Sequence, residues 1–157
     1  MELVIEEGVT KIKDFEYRDN KDITSIKFPS TLKRIGLSSF LNCKNLKKVD
    51  LPRGIEYIGV CSFGGCPAVI FVPNTIQRID DGAFSSNSVV FFECGENDFI
   101  GYHKIRDVSD YPDSYYRGSS MGGDTIEEFY YQEGCTLFFN KTHEDFLNYL
   151  KNIYKTL

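Results

Sequence analysis

Cysteine and histidine are the residues of this chain best suited to do chemistry. The sequence holds five cysteines and two histidines among 157 residues. A thiol or hydroxyl nucleophile needs a base within hydrogen-bonding reach, and the candidate bases are His103 and His143. Cys61 or Cys135 with one of them would make a hydrolase, a hypothesis that intact activity in the His103/His143 double substitution would remove. We expect His143 at the first turn of a helix, as a solvated surface residue.

The cysteines themselves favour a structural role. Cys43 and Cys66 occupy one position of a repeated pattern that Asn20 and Asn87 also occupy, which indicates buried thiols. Cys61 has no counterpart in that pattern, and no sequence neighbour marks its thiol as activated. The five cysteines fit neither a disulfide framework nor a zinc signature, so we expect a reducing compartment.

Glycines and aspartates give no phosphate or metal site. The segment 118–123, Gly-Ser-Ser-Met-Gly-Gly, lacks the lysine of a phosphate-binding loop. Aspartates occur as a pair at 80–81 and as the set Asp107, Asp110 and Asp113, but neither group has the spacing of a cation-binding loop. We therefore expect solvated carboxylates. The sequence predicts a protein that is not an enzyme and that takes no cofactor and no metal.

Net charge and hydropathy narrow the classes of partner. With 18 basic and 23 acidic residues the net charge is −5, which disfavours nonspecific nucleic-acid binding because that needs a basic face. The first seven residues lack the basic start of a signal peptide. The longest apolar run, residues 68–72, is far shorter than the roughly 20 residues that span a bilayer. We predict a cytoplasmic protein that binds neither nucleic acid directly nor a membrane.

Apolar residues recur over the first ninety residues with a period of 23 that shortens to 21. Each of four units closes on Ile23, Leu46, Val69 or Val90, and Lys47 and Lys48 have no counterparts in the unit that follows. The other aligned columns are Leu3, Ile26, Val49 and Ile70; Ile5, Phe28, Leu51 and Val72; Glu6, Pro29, Pro52 and Pro73; Val9, Leu32, Ile55 and Ile76; Ile12, Ile35, Ile58 and Ile79; Tyr17, Phe40, Phe63 and Phe84; and Asn20, Cys43, Cys66 and Asn87.

This spacing predicts the coils of a solenoid. Two apolar residues with one exposed residue between them, as in Val49-Asp50-Leu51, form a short strand with one buried face. The proline that follows ends the strand because it has no N–H to donate. Gly36 and Gly59 follow the second apolar pair, and we expect positive φ there, where the chain turns. Single coils cannot bury their interior, so they stack at the strand spacing of roughly 4.8 Å.

Two stretches carry a family resemblance. They are Leu46-x-x-Val49-x-Leu51-Pro52-x-x-Ile55-x-x-Ile58-Gly59-x-x-x-Phe63-x-x-Cys66 and Ile79-Asp80-Asp81-Gly82-Ala83-Phe84. Both resemble the BspA-type leucine-rich repeat. The resemblance implies a repeat solenoid over residues 1–94, a right-handed stack of about four coils with a parallel β-sheet. It also implies a binding role without shared catalytic residues, and surface adhesion as an alternative, since the family is typically secreted or surface-bound.

The pattern stops after residue 94. Residues 95–157 contain an acidic, tyrosine-rich loop at 107–124, a β-hairpin formed by 126–131 and 135–139, and a terminal α-helix at 142–157. Thr142 to Asp145 resembles a capping box with Asp in place of Glu. A bare solenoid end would expose core, so we expect this segment to cap the last coil, with a separate small domain as the alternative. The helix carries an apolar stripe of Phe146, Leu147, Leu150, Ile153, Tyr154 and Leu157.

The first sheet offers one candidate surface for a protein partner. Mixed polarity around apolar ends suits a nonobligate interface, and an ordinary solvated sheet is the competing interpretation. If the sheet binds, Lys27→Glu or Phe71→Ala should weaken partner capture without lowering the melting temperature. The non-core residues of this sheet are Val4, Lys27, Asp50 and Phe71, with Glu2, Ser25 and Lys48 beside them.

The acidic loop offers a second surface. Residues 96–157 hold 6 basic and 11 acidic residues, whereas residues 1–95 hold 12 of each, so the net charge of −5 belongs to the C-terminal part. Tyrosine gives large contact area at low rotamer cost, and a flexible solubilising loop is the competing interpretation. The loop residues singled out are Asp107, Asp110, Tyr111, Asp113, Tyr115 and Tyr116.

These surfaces support three hypotheses beside the hydrolase. The leading one is a noncatalytic protein-interaction module that acts as an adaptor or small inhibitor. The first alternative is an acidic blocker of a basic nucleic-acid-binding groove on an enzyme, a nucleic-acid mimic of the viral or phage-inhibitor type. The third is a homodimer through the open N-terminal coil, where residues 3–5 offer an edge strand.

Overall fold

Short strands stack from coil to coil into two sheets. The computed structural model of the chain describes residues 1–100, 103–104 and 135–154, with the backbone alone at 97, 99, 100, 103 and 104. Sheet A is parallel throughout and receives its last strand from the C-terminal segment. Its strands, in spatial order, are β1 (Glu2–Val4), β3 (Ser25–Lys27), β5 (Lys48–Asp50), β7 (Val69–Val72), β9 (Val89–Phe92) and β12 (Thr136–Phe138).

Sheet B lines the same core with the second strand of each coil. Its first four strands are parallel, and two short antiparallel strands extend it. A 3-10 helix at Glu96–Asp98 precedes those two strands. In spatial order sheet B consists of β2 (Lys11–Ile12), β4 (Arg34–Ile35), β6 (Tyr57–Ile58), β8 (Arg78–Ile79), β11 (His103–Lys104) and β10 (Phe99–Ile100).

Strand register confirms the predicted coil repeat. In sheet A, Leu3 is paired with Ile26, two members of one sequence column. In sheet B, Ile12, Ile35 and Ile58 follow one another in register. All but the partly buried Leu3 are buried in one continuous hydrophobic core that both sheets line. The solenoid and its parallel sheet are therefore as the repeat columns predict.

The shortening of the repeat falls earlier in the unit than the sequence alignment places it. Lys48 is paired with Val69. The two residues without counterparts therefore lie within 44–47, and their assignment to positions 47 and 48 was wrong. Ala68 is buried in the core that contains Leu46, whereas Val69 belongs to a separate cluster on the outer face of sheet A. The shorter turn thus moves Val69 out of the column that closes each unit.

A stack of aromatic rings fills the core along the solenoid. Ring centroids are 5.3 Å apart between Tyr17 and Phe40, and 5.4 Å apart between Phe40 and Phe63. Phe84 continues the stack at 6.5 Å from Phe63. Because each ring packs against the equivalent ring of the next coil, the aromatic column couples neighbouring coils directly.

Gly36 and Gly59 are required by close packing between coils, and the expectation of positive φ at these positions was wrong. A Cβ on Gly36 would lie 2.7 Å from the carbonyl oxygen of Ile12. A Cβ on Gly59 would lie 2.9 Å from the carbonyl carbon of Gly36. Both neighbours are backbone atoms of the preceding coil, so a larger side chain would push the coils apart.

One set of left-handed residues lies two positions further along each coil. Phe15, Ser38 and Cys61 have φ of 61°, 51° and 54°, and Gly82, in the fourth coil, has φ of 64°. These residues are 23, 23 and 21 apart, so they mark the same turn in all four coils. Only the last is glycine, the residue that adopts this conformation without a Cβ clash. The glycine pattern therefore pointed to the wrong position.

The C-terminal segment covers the last coil and then crosses sheet A. β12 is parallel to β9, and Leu137 and Phe139 pack against the main core. β12 lies in the second arm of the predicted hairpin, and the first arm, residues 126–131, is outside the described residues. Helix α1 (His143–Ile153) follows inside the predicted range 142–157. In the described part of the chain, no helix has the length and apolar character to cross a membrane.

Candidate protein-binding face

The outer face of sheet A has two columns of side chains that point away from the main core. Strand pairing brings Glu2, Ser25, Lys48, Val69, Val89 and Thr136 into one column. The second column is Val4, Lys27, Asp50, Phe71, Phe91 and Phe138. Apart from Val4 at one end and Thr136 at the other, both columns change from polar to apolar toward the C-terminal strands. The face therefore has two halves of different chemistry.

Helix α1 covers the apolar half. Phe146 and Leu150 are buried against Val69, Phe71 and Phe91 in a cluster distinct from the main core. The ring centroid of Phe146 lies 5.6 Å from that of Phe71 and 6.2 Å from that of Phe91. Such burial removes apolar surface from water on both faces of β7 and β9. The chain's own helix therefore occupies the apolar half of the outer face.

Helix α1 covers Phe71, the residue that the sequence analysis proposed as an anchor for a partner. Phe71 is only 1% exposed and belongs to the cluster beneath α1. Phe71 is therefore not on an accessible face, and Phe71→Ala should lower the melting temperature because this substitution would empty a buried site. The sequence did contain a signal, since residues 69–72 form an unbroken apolar strand, the pattern of a strand buried on both faces.

Asp50 and His143 join the two halves of the face. The Nε2 atom of His143 lies 2.8 Å from Oδ2 of Asp50. The imidazole also meets the Phe71 ring edge-on, with 5.1 Å between centroids. His143 lies at the first turn of the helix as predicted, but its side chain is only 40% exposed because it packs onto the sheet. Asp50 consequently faces the protein's own helix.

A capping box starts the helix as predicted. The Thr142 hydroxyl accepts a hydrogen bond from the backbone N–H of Asp145, and the Asp145 carboxylate accepts one from the N–H of Thr142. These hydrogen bonds hold the pKa of Asp145 below its ordinary value. One member of the predicted apolar stripe was misplaced, since Ile153 is 45% exposed. Leu157 lies outside the described residues.

No element in the described part of the chain covers the polar half of the outer face. We call it the open face, and it consists of Glu2, Val4, Ser25, Lys27 and Lys48. Val4 is 58% exposed, Glu2 and Lys27 are exposed, and Ser25 and Lys48 are half-buried. Five of the seven sheet positions proposed as a binding surface, those at 2, 4, 25, 27 and 48, therefore lie on one accessible surface.

A groove of about 450 Å³ separates the open face from the end of the helix. Tyr154 forms one wall, and Glu2, Lys47 and Lys48 contribute to the others. The Lys47 ammonium lies 5.9 Å from the centroid of the Tyr154 ring. Lys47 and Tyr154 were not proposed as site residues from the sequence, although the Lys-Lys pair at 47–48 stands out within its repeat unit.

The second predicted surface cannot be compared with the structure. The acidic and tyrosine positions of this surface lie outside the described residues. They are Asp107, Asp110, Tyr111, Asp113, Tyr115 and Tyr116.

The described thiols have the properties of structural cysteines. Cys43 and Cys66 are buried and donate to the carbonyl oxygens of Tyr17 at 3.2 Å and of Phe40 at 3.0 Å. Burial raises the pKa of Cys61, with a smaller contribution from Asp81. Burial also raises the pKa of Cys135 to about 11. A nucleophilic cysteine needs a lowered pKa, so neither thiol of the hydrolase hypothesis is activated by its surroundings.

Comparison with known proteins gives one match. The family model for the BspA type leucine rich repeat region, in six copies, matches residues 1–107, more than half of the chain. The match extends past the boundary at residue 94 that the repeat columns suggested. Neither a curated protein nor a solved structure matches the chain.

Proposed function

The chain belongs to the BspA-type leucine-rich repeat family, and from this premise we propose that it is a noncatalytic protein-interaction module that binds a protein partner through the open face. Its role would be that of an adaptor or small inhibitor. The observation that carries the proposal is the division of sheet A, whose apolar half is filled by α1 while the polar half is accessible. Mixed polarity with an exposed apolar residue is typical of nonobligate interfaces.

Affinity capture tests this proposal. Lys27→Glu reverses the charge of an exposed residue at the centre of the open face. It should therefore weaken, severalfold, the capture of a partner whose binding saturates. Lys11→Glu makes the same charge change on exposed sheet B and is the matched control. The melting temperature should be the same for both variants. Equal capture by the wild-type chain and Lys27→Glu would overturn the open face as the binding surface.

The acidic C-terminal part supports a second candidate function. Its net charge of −5 suits a protein that occupies a basic nucleic-acid-binding groove on an enzyme. Asp107, Asp110 and Asp113 would then act as phosphate surrogates. This version requires inhibition that weakens steeply with salt and is lost when the three residues become Asn. Salt-independent inhibition would exclude it.

The N-terminal edge supports a homodimer as a further alternative. Among the described strands, β1 lies at the edge of sheet A and is paired on one side only, with β3. A second chain could add its own β1 there. Light scattering should then show a doubled mass that Val4→Pro reduces to that of one chain, because proline removes a strand donor. A single-chain mass at every concentration would exclude it.

A reducing compartment such as the cytoplasm fits the cysteines. All five are free. Secreted domains generally pair such residues into disulfides, whereas cytosolic proteins keep them reduced. Surface adhesion, as in secreted members of the family, is the alternative. Fractionation of the source cells would distinguish the two locations.

A further inference from the structure

The groove beside Tyr154 is lined by lysines and by an aromatic ring, and the exposed Val4 lies on the same strand as Glu2 of its lining. Lys47 and Lys48 line it, and Lys27 lies next to it on the neighbouring strand of the open face. In the described part of the chain, none of these three lysines is in an ion pair with a carboxylate. Glu2 is the one acidic residue of the lining, against Lys47 and Lys48, so the lining itself carries a net positive charge.

This local charge is opposite to that of the molecule as a whole. The chain has a net charge of −5, which repels long polyanions such as nucleic acids. The groove lining contains no arginine and so lacks the planar fork that favours bidentate phosphate binding. Lysine side chains suit carboxylates carried on a flexible peptide.

The end of α1 fixes the geometry of the groove. The backbone N–H of Tyr154 donates to the Leu150 carbonyl at 2.8 Å, which holds this residue against the last helical turn. The Tyr154 ring packs against the cluster beneath the helix and also lies near the Lys47 ammonium. A cation beside an aromatic face is held in place by the ring quadrupole. One wall of the groove is therefore formed before any partner arrives.

We propose that this groove binds an acidic segment of a protein partner, with side-chain carboxylates at Lys47 and Lys48 and an apolar side chain against Val4. The inference rests on the proposed function, because it names the kind of partner that the open face takes. The segment carries acidic residues with an apolar residue among them, since the exposed Val4 lies beside the lysines of the open face.

Titration with a defined peptide tests the proposal. The probe is a short blocked peptide of alternating Glu and Leu, and its control has Gln in place of every Glu. Binding to the isotope-labelled full chain is followed by amide chemical shifts. The acidic peptide should shift amides at 24–27 and 46–48, and the Gln peptide should bind at least about tenfold more weakly.

Two variants with equal charge change locate the site. Lys27→Gln/Lys47→Gln/Lys48→Gln should lower the affinity for the acidic peptide about tenfold. Lys11→Gln/Lys13→Gln/Lys21→Gln removes three exposed lysines elsewhere and should leave the affinity unchanged. Equal binding by both peptides, shifts confined to sheet B, or unchanged affinity of the groove variant would overturn the proposal.

The capture assay separates this inference from the function on which it rests. If a protein partner is captured through Lys27 but the acidic peptide neither binds nor competes, the groove assignment is wrong and the interaction module stands. If the acidic peptide competes with the partner, both are supported. If no partner is captured at any concentration, the proposed function fails, whatever the peptide result.

Discussion

Tyr57, on the outer face of sheet B, belongs to a network of hydrogen bonds and a cation–π contact. Its hydroxyl donates to the Asp80 carboxylate at 2.5 Å, and the same carboxylate accepts from Nε of Arg78 at 2.6 Å. The Arg34 guanidinium lies 4.4 Å from the centre of the Tyr57 ring. Burial, and then the hydrogen bond to Asp80, raises the pKa of Tyr57 to about 12. The sequence predicted none of this, because these positions are outside the apolar columns.

The raised pKa predicts a loss of stability in alkali. An unfolded tyrosine ionises near pH 10, whereas Tyr57 in the folded chain stays neutral to about pH 12. Its contribution to folding is therefore complete below pH 10 and lost as the pH rises toward 12. Urea unfolding across this range should show stability falling more steeply for the wild-type chain than for Tyr57→Phe. Parallel curves for the two chains would contradict the prediction.

Helix α1 is the element whose existence the sequence predicted and whose position it did not. The capping box and the helical spacing of Phe146 and Leu150 define the helix from local residues alone. The position at which the helix packs depends on the outer faces of β7 and β9, strands that are distant in the sequence. Phe71 and Phe91 occupy outer positions because they alternate with core residues along β7 and β9. The outer positions follow no repeated residue type, so the repeat columns did not indicate where the helix would pack.

The capping box provides a test of this element. Thr142→Ala removes the side chain that accepts from the Asp145 N–H, and loss of such a cap costs about 1 kcal/mol. Because α1 packs as a unit, its amides should exchange with solvent faster while those of β3 and β5 keep their protection. Hydrogen exchange measured by mass spectrometry would show the difference.

Two further substitutions serve as controls. Thr142→Ser keeps the hydroxyl and should restore protection of the helix. Thr10→Ala changes an exposed threonine outside the helix and should leave α1 unaffected. Equal exchange rates in α1 for Thr142→Ala and the wild-type chain would show that packing alone holds the helix.

The whole molecule is a stack of coils whose stability depends on contacts between neighbours. Columns such as Ile12, Ile35 and Ile58 predict this architecture because each coil meets the same burial requirement and meets it with the same residue type. The columns could not predict the function of the outer surface of sheet A, which they do not include. Outer positions escape the core constraint, so Lys27, Asp50 and Phe71 follow one another without a repeating type.

The stack predicts a position-dependent cost of removing an aromatic ring. Phe63 is fully buried and stacks on rings from both sides, whereas Tyr17 is half-buried and stacks on Phe40 alone. Phe63→Ala should therefore lower the free energy of unfolding by about 3–5 kcal/mol, and Tyr17→Ala by clearly less. Urea unfolding followed by circular dichroism would measure both. Equal losses would mean that the coils do not depend on their neighbours.

The position of α1 on β7 and β9 relates the number of coils to the length of the open face. The helix is fixed to the C-terminal strands, so the length of the open face is set by the number of coils that precede β7. Insertion of one further copy of the repeat between β3 and β5 would lengthen that face by one strand spacing, about 4.8 Å. The helix, its cap and its apolar seat would remain as they are. Duplication of a single repeat could thus change how long a partner segment is accepted without any change to the rest of the chain.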